Sequence, residues 1–177
     1  MSRIRFRLAL AAAALSMLVA PGLARAAIVT NGDFETGTFT GWTTGGNQPA
    51  PTISTAQAHS PTHSALLGYT GSTGEPTGDS WIQQQFAVPS SGGTLSFYVW
   101  EFTTDSVTYD WQTCQLRNTA GSTLTTLFKE AGNGRAWVQR SYSLSSYAGQ
   151  TIVLWCNVHE DGWGDQTYMY LDDVAVK

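Results

Sequence analysis

Acidic residues and a tryptophan are grouped in one short segment near the carboxyl end of this 177-residue sequence. The segment runs from His159 to Asp165 and contains Glu160, Asp161, Trp163 and two glycines, which indicate an irregular loop. It lacks the second histidine of a zinc-protease motif and the alternating oxygen ligands of an EF-hand. Three interpretations stay open: a solvated acidic turn, part of a ligand pocket that includes Trp163, or a cation site.

Two cysteines, Cys114 and Cys156, are the next residues whose type suggests chemistry. In an exported chain, an even cysteine count predicts one disulfide. Each cysteine shares strand parity with an apolar neighbour, Leu116 in one segment and Leu154 in the other, so both sulfur atoms are expected on the buried side. The alternative is two buried free thiols, which behave as small apolar side chains.

The same parity places Trp111 and Gln115 on the outward side of the first cysteine segment. The segment 94–102 is apolar at both parities, so it also presents aromatic side chains outward. An aromatic ring packs on the C–H face of a neutral sugar, and amides or carboxylates bind its hydroxyl groups. We therefore predict a glycan-binding set made of Tyr98, Trp100, Trp111, Gln115, Trp155, Asn157, His159 and Trp163.

A covered surface is the alternative interpretation of these aromatic residues. Loops or the amino-terminal segment could pack on them and turn them into a second small core. Trp42, Trp81 and Trp137 each lie at a strand start or a turn, and we assign them to the main core. The seven tryptophans are thereby divided between a surface group and a core group.

Catalysis is the less favoured interpretation. The sequence has no G-x-S-x-G nucleophile motif, and three histidines give few candidates for a general base. Carboxylates for glycoside hydrolysis are present, but their spacing adds no further support. They are Glu101, Asp105, Asp110, Glu160 and Asp165.

The first 26 residues resemble a signal peptide. Arg3, Arg5 and Arg7 form a basic region, an apolar stretch follows at 8–20, and an A-x-A cleavage site lies at 24–26. The apolar stretch is too short and too rich in alanine for a stable membrane span. We expect a secreted product, extracellular or periplasmic, that consists of residues 27–177.

Charge excludes several partners. Without residues 1–26 the chain keeps five basic and thirteen acidic residues, so its net charge changes from −4 to −8. Five dispersed cations cannot neutralise a phosphate backbone, so no nucleic acid is expected as a partner. The same charge argues against anionic membranes and polyanionic polysaccharides, and no second apolar stretch is long enough for membrane insertion.

The elements that must position these residues are β-strands. Apolar segments bounded by turn signals recur about every 8–15 residues, a spacing typical of a β-sandwich. The predicted strands are 81–88, 94–102, 111–117, 123–128, 137–144, 151–158 and 167–176. Thr, Ser, Gly and aromatic residues are abundant, and no segment has a sustained helical period. The sequence predicts an all-β, two-sheet antiparallel sandwich with a single domain.

Several motifs resemble those of a known family. The run Asn-Gly-Asp-Phe-Glu-Thr-Gly at 31–37, Ser-Tyr-Ala-Gly-Gln at 146–150 and Tyr-Leu-Asp-Asp-Val at 170–174 resemble secreted bacterial jelly-roll modules. These are the galactose-binding-like and carbohydrate-binding modules appended to xylanases and related enzymes. Asp-Ser-Trp at 79–81 and Asp-Trp-Gln at 110–112 are also similar to jelly-roll domains that trail secreted bacterial proteases.

The resemblance implies a jelly-roll fold and a structural calcium ion as cofactor, with Glu35 and Asp172 as its carboxylate ligands. It also implies a non-catalytic protein that binds a polysaccharide or glycan, which the charge suggests is neutral. A structural or adhesion module at the cell surface or with a protein partner is the first alternative. A small secreted glycoside hydrolase or lyase is the second alternative.

Overall fold

The computed structural model describes residues 28–47 and 49–177, so the predicted signal peptide at 1–26 lies outside the described residues. In this part of the chain ten strands follow one another. They are β1 Thr43–Gly46, β2 Thr52–Ser54, β3 Ser64–Gly68, β4 Gly78–Ala87, β5 Thr94–Thr103, β6 Trp111–Arg117, β7 Thr123–Glu130, β8 Val138–Ser143, β9 Thr151–Glu160 and β10 Thr167–Val176. Within the same residues, no helix has the length and apolar character required to cross a membrane.

The strands form two antiparallel sheets of five strands each. The first sheet has the order β1-β4-β9-β6-β7 and the second has the order β2-β3-β10-β5-β8. The predicted all-β, single-domain sandwich is confirmed, and each of the seven predicted segments contains a strand. The order is non-sequential in both sheets, so residues far apart in the chain become neighbours on each surface.

Alternation explains why these segments pack as sheets. In β4 the buried positions are Ser80, Ile82, Gln84 and Phe86, and the side chains between them point outward. The inner faces of both sheets meet in one core that contains residues such as Leu95, Phe97, Leu154 and Leu171. Each fully buried side chain of this size contributes about 1.5–3 kcal/mol by removal from water.

The motif at 31–37 closes the core from the amino-terminal side. Phe34 is fully buried and packs on Trp42, with ring centroids 5.3 Å apart. The indole Nε1 of Trp42 donates to the carbonyl of Asn31 at 3.0 Å, so this buried ring keeps its hydrogen bond. The core assignment of Trp42 is therefore confirmed.

A disulfide joins Cys114 to Cys156. The two residues are direct partners on the neighbouring strands β6 and β9, and both are fully buried. The even cysteine count had predicted their pairing, and strand parity had predicted their inward orientation. The bridge therefore lies directly beneath the outer surface of the first sheet.

Candidate functional site

Three tryptophans lie on the outer face of the first sheet, on three neighbouring strands. Trp81 belongs to β4, Trp155 to β9 and Trp111 to β6, and each is partly exposed. Gln115 is the strand partner of Trp155, and His159 is the strand partner of Trp111. We call these five residues the tryptophan face. Successive outward side chains on one strand are about 7 Å apart, so the face is long enough for several sugar units.

A shared carboxylate fixes the polar residues between the rings. Asp79 Oδ1 accepts a hydrogen bond from Asn157 Nδ2 at 2.7 Å and lies 3.0 Å from His159 Nδ1. The His159 ring in turn stacks on Trp111 with centroids 4.0 Å apart. Asn157 is only 2% exposed, and this hydrogen bond helps to position Asp79.

Cationic side chains cover two of the three indole rings. The guanidinium of Arg117 lies 3.4 Å from the ring centre of Trp155, and Lys129 Nζ lies 3.5 Å from that of Trp111. Arg117 Nε also donates to Gln115 Oε1 at 2.9 Å. A ligand that stacks on these rings must therefore displace or extend past a cation.

Trp81 was assigned to the core, and that assignment is wrong. The side chain points outward because it shares parity with Gln83 rather than with Ile82. Its ring lies across β1, where a Cβ atom on Gly45 would come within 2.1 Å of indole Cζ2. Only glycine permits this approach, so β1 supports the ring from one side while its edge stays exposed.

Two of the predicted glycan-binding residues lie on the opposite side of the molecule. Tyr98 and Trp100 belong to β5, whose outer side faces away from the first sheet. The prediction of a single aromatic surface is therefore corrected, because β5 and the pair β6–β9 belong to different sheets. Alternation along a strand gives a side chain's direction but not the sheet in which the strand lies.

Trp100 joins a second aromatic surface, the tyrosine face, which consists of Trp100, Phe102, Tyr168 and Tyr170. These rings pack on one another, with Phe102 and Tyr168 centroids 5.0 Å apart and Trp100 and Tyr170 centroids 5.6 Å apart. Phe102 is 8% exposed and Tyr170 is 6% exposed. The rings of this surface therefore pack mainly on one another, as expected for the alternative interpretation of a second small core.

The Tyr98 ring stacks on His59 at 3.5 Å, and Trp137 contacts the other side of His59 edge-on at 5.7 Å. Trp137 is partly exposed here, so its assignment to the core is also wrong. His59 Nδ1 lies 2.5 Å from Asp173 Oδ2. His59, Tyr98 and Asp173 border a cavity of about 500 Å³, which also reaches Asp33.

Trp163 lies at one end of the sandwich, in the loop that joins β9 to β10. It is 88% exposed and Tyr109 beside it is 55% exposed. The two rings border a cavity of about 390 Å³ together with Asp105, Asp161 and Asp165. This places the predicted acidic loop in a ligand-sized depression rather than on a flat surface.

Glu75 and Asp110 each bring a carboxylate oxygen within 4.8 Å of aspartates that line this cavity. Asp110 and Glu160 are fully buried and Glu75 is 7% exposed. Burial, with repulsion from Glu75 and Asp110, raises the pKa of Glu160 to about 9, so this carboxyl is protonated at neutral pH. Burial likewise raises the pKa of Glu75 to about 7. Of the carboxylates considered for hydrolysis, Glu101 lies elsewhere, paired with Arg140.

The predicted calcium ligands Glu35 and Asp172 both bind the segment 59–63. Glu35 Oε1 accepts from the backbone N–H of Thr62 at 3.0 Å and of His63 at 2.7 Å. Asp172 Oδ2 accepts from the backbone N–H of His59 at 2.8 Å and Ser60 at 3.1 Å.

Burial tends to raise the pKa of Glu35, but the hydrogen bonds from Thr62 and His63 outweigh it and hold that pKa at about 2. Burial raises the pKa of Asp172 to about 6. These N–H donors already satisfy the carboxylates, whereas calcium requires six to eight oxygen ligands, so this arrangement does not call for an ion. Calcium at Glu35 and Asp172 stays a prediction.

Sequence reasoning missed the contributions of Glu75, Asp79 and Tyr168. Asp79 and Trp81 share parity in β4, so the alternation pattern carried a usable signal for both. Glu75 belongs to a loop between β3 and β4 and meets the acidic segment only through the fold. No local pattern could have indicated that contact.

No known family model matches the sequence, and no curated protein matches it significantly. Solved structures do. TmCBM61 in complex with beta-1,4-galactotriose is similar over 86% of this chain and 99% of its own, with 16% identity and a TM-score of 0.64. The K3 cleaved adhesin domain of Lys-gingipain from Porphyromonas gingivalis W83 is similar over 84% of this chain and 98% of its own, with 21% identity and a TM-score of 0.60.

A carbohydrate-binding module from a study of promiscuous specificity in the beta-sandwich superfamily is also similar. It matches 82% of this chain and 60% of its own, with 16% identity and a TM-score of 0.57. The resemblance predicted from the motifs is confirmed at the level of the fold. At these identities the likeness establishes a shared sandwich architecture, and the ligand must be argued from the surface.

Proposed function

We propose that this protein is an exported, non-catalytic module that binds a neutral glycan chain on its tryptophan face. The observation that carries the proposal is the placement of Trp81, Trp155 and Trp111 on three neighbouring strands, each partly exposed. An extended array of indole rings suits a chain of sugar rings, because each ring offers an apolar C–H face.

Polar groups between the rings support recognition of hydroxyl groups. Gln115 lies beside Trp155, and Asp79 and His159 lie beside Trp111 and Asn157. Asp79 is fixed by hydrogen bonds from its neighbours, so its lone pairs are pre-oriented at little entropic cost on binding. Such fixed acceptors and donors, rather than a catalytic pair, are what a binding surface requires.

The charge of the surface supports a neutral ligand. Arg117 and Lys129 are the cations on this face, and both are already stacked on indole rings. The chain without residues 1–26 carries −8, which repels polyanionic polysaccharides at long range. The structures of a galactotriose-bound module and of a module with promiscuous specificity supply precedents for sugar binding on this fold.

Affinity electrophoresis in gels that contain neutral or acidic polysaccharides tests the proposal. We expect retardation by at least one neutral polysaccharide, and we expect Trp155→Ala and Trp111→Ala to lose most of it. Trp100→Ala, on the opposite sheet, is the matched control and should keep its retardation wherever it remains folded. Retardation by acidic polysaccharides alone contradicts a neutral ligand, and unchanged retardation of both face variants contradicts the tryptophan face.

Release of reducing ends distinguishes this proposal from a glycoside hydrolase. The same polysaccharides are incubated with the protein, and no increase in reducing ends is expected. If reducing ends increase, and Glu75→Gln or Asp165→Asn abolishes the increase, these two loop carboxylates have a catalytic role instead.

A further inference from the structure

Three loop carboxylates converge at one end of the sandwich. Glu75 comes from the loop between β3 and β4, and Asp161 and Asp165 come from the loop between β9 and β10. One oxygen of each lies within 4.8 Å of an oxygen of the others. Three like charges this close repel one another unless a proton or a cation compensates them.

Unpartnered oxygens point to a missing ligand rather than to a solvated turn. Glu75 is 7% exposed, and its Oε1 atom is buried without a hydrogen-bond partner. Asp165 Oδ1 is buried and unpartnered as well. In residues 28–47 and 49–177, each ion pair within 4.0 Å involves other carboxylates, so no side-chain cation compensates this group. A buried carboxylate oxygen without a partner is unfavourable unless a ligand satisfies it.

The rest of the environment holds the carboxylates in place. Gly164 N donates to Glu75 Oε2 at 3.1 Å, and Asp161 N donates to Asp110 Oδ1 at 2.8 Å. Trp163 N donates to Asp161 Oδ1 at 3.1 Å. These bonds occupy one oxygen of Glu75 and one of Asp161, so the remaining oxygens are available to a ligand.

We propose that Glu75, Asp161 and Asp165 bind a calcium ion. All side-chain ligands are carboxylate oxygens, the type that calcium prefers, and neither histidine nor cysteine contributes to the group. The adjoining cavity of about 390 Å³ has room for the water molecules that complete a shell of six to eight oxygens. This site is distinct from Glu35 and Asp172, and it does not depend on glycan binding by the tryptophan face.

The ion links the loop between β3 and β4 to the loop between β9 and β10. Trp163 lies between Asp161 and Asp165 in the chain, so an ion held by both residues fixes the loop that presents this exposed indole. An indole so close to the site can transfer excitation energy to a bound terbium ion, which replaces calcium in oxygen-only sites. Terbium emission on tryptophan excitation is therefore a direct measurement of occupancy.

The test is a terbium titration of the full chain, followed by displacement with calcium and by calorimetric calcium titration. We expect terbium emission that saturates and that calcium displaces. Glu75→Gln and Asp165→Asn should weaken calcium binding roughly tenfold or more, since even outer-shell changes at metal sites cost 10- to 100-fold. Trp163→Phe should reduce the emission but leave the calorimetric calcium affinity unchanged.

Glu35→Gln is the matched control, because it removes a carboxylate charge from the other predicted calcium position. It should leave unchanged the terbium emission and the calcium affinity of the site formed by Glu75, Asp161 and Asp165. Far-ultraviolet circular dichroism identifies any variant that fails to fold, and Asp161→Asn then replaces it as the test variant. The proposal is overturned if the folded wild type gives no displaceable emission, or if calcium binding depends on Glu35 and not on Glu75.

Discussion

The two outer faces of the sandwich use the same alternation of side chains but surround their aromatic rings differently. On the tryptophan face, polar or cationic groups separate the rings, as Arg117 does at Trp155 and His159 does at Trp111. On the tyrosine face the rings contact one another, as Phe102 and Tyr168 do at 5.0 Å. In the first arrangement the rings are covered by polar or cationic side chains that a ligand can displace, and in the second they pack on one another.

This difference teaches that an outward aromatic residue has no fixed role. A ring stacked on other rings removes apolar area from water and so contributes to the free energy of unfolding. A ring covered by a cationic side chain contributes less to stability, because the cation remains partly hydrated. The predictions below test whether stability and recognition are divided between the two faces in this way.

The largest effect should come from the disulfide beneath the tryptophan face. Replacing Cys114 and Cys156 by alanine opens a link across 42 residues, which the loop-entropy model values at about 4 kcal/mol. We expect the free energy of unfolding to fall by about 2–4 kcal/mol in urea titrations. An unchanged midpoint would show that the first sheet does not need its bridge.

Trp100→Ala should cause the next largest loss. Its ring contacts Tyr168 and Tyr170, so the substitution removes packing on both sides and should lower the free energy of unfolding by about 3 kcal/mol. Trp155→Ala, the matched change on the tryptophan face, should cost about 1 kcal/mol. Thermal melting followed by circular dichroism measures both, and equal losses would contradict the contrast between the faces.

Apolar segments bounded by turn signals predicted the strands, and the even cysteine count together with strand parity predicted the buried disulfide. Cys114 and Cys156 were correctly placed inward, and both cysteine segments are strands with the expected bounds at their starts. Periodicity of two determines which side chains share a face, and turn residues determine where strands end. These are local properties of the sequence.

Assignment of strands to sheets is not a local property. Trp100 and Trp155 both point outward, yet β5 and β9 lie in different sheets because the strand order is non-sequential. The meeting of Glu75 with Asp165 depends on loop closure across 90 residues of chain in the same way. The wrong core assignment of Trp81 has a different cause. Its parity in β4 indicated an outward side chain, but the assignment was based on its position at a strand start.

The buried carboxyl of Glu101 on β5 should give the free energy of unfolding a smaller, pH-dependent contribution. Burial and repulsion from Glu130 raise the pKa of Glu101 to about 7, although Arg140 partly opposes this. Between its ordinary pKa of 4.5 and about 7, the folded protein keeps a proton that the unfolded chain has released. The free energy of unfolding should therefore fall as the pH rises through this interval.

Glu101→Gln should remove this part of the pH dependence, which urea titrations at pH 4.5, 5.5, 6.5 and 7.5 can measure against wild type. Glu130→Gln is the informative control, because it removes the repulsion but leaves Glu101 in place. It should reduce the slope without abolishing it. A slope identical in wild type and Glu101→Gln would assign the pH dependence to other buried carboxyls.

The smallest expected effect concerns the cations on the tryptophan face. Arg117 covers the ring of Trp155 at 3.4 Å and also occupies Gln115 Oε1. A sugar that stacks on this ring must first displace the guanidinium, at a cost of about 0.5–1 kcal/mol for a cation–π contact at an exposed site. Removing the cation by Arg117→Ala should therefore strengthen polysaccharide binding by about two- to fivefold, because 1.4 kcal/mol corresponds to tenfold in affinity.

Lys129→Ala should act in the same direction at Trp111, because Lys129 Nζ covers that ring at 3.5 Å. Affinity electrophoresis over a range of polysaccharide concentrations gives the dissociation constants of both variants. Neither variant should change the free energy of unfolding by more than about 1 kcal/mol, since each removes one partly exposed cation–π pair. A loss of affinity in both variants would mean that the cations bind the glycan themselves. The tryptophan face would then recognise sugars through cations and rings together, and its difference from the tyrosine face would be one of charge as well as of packing.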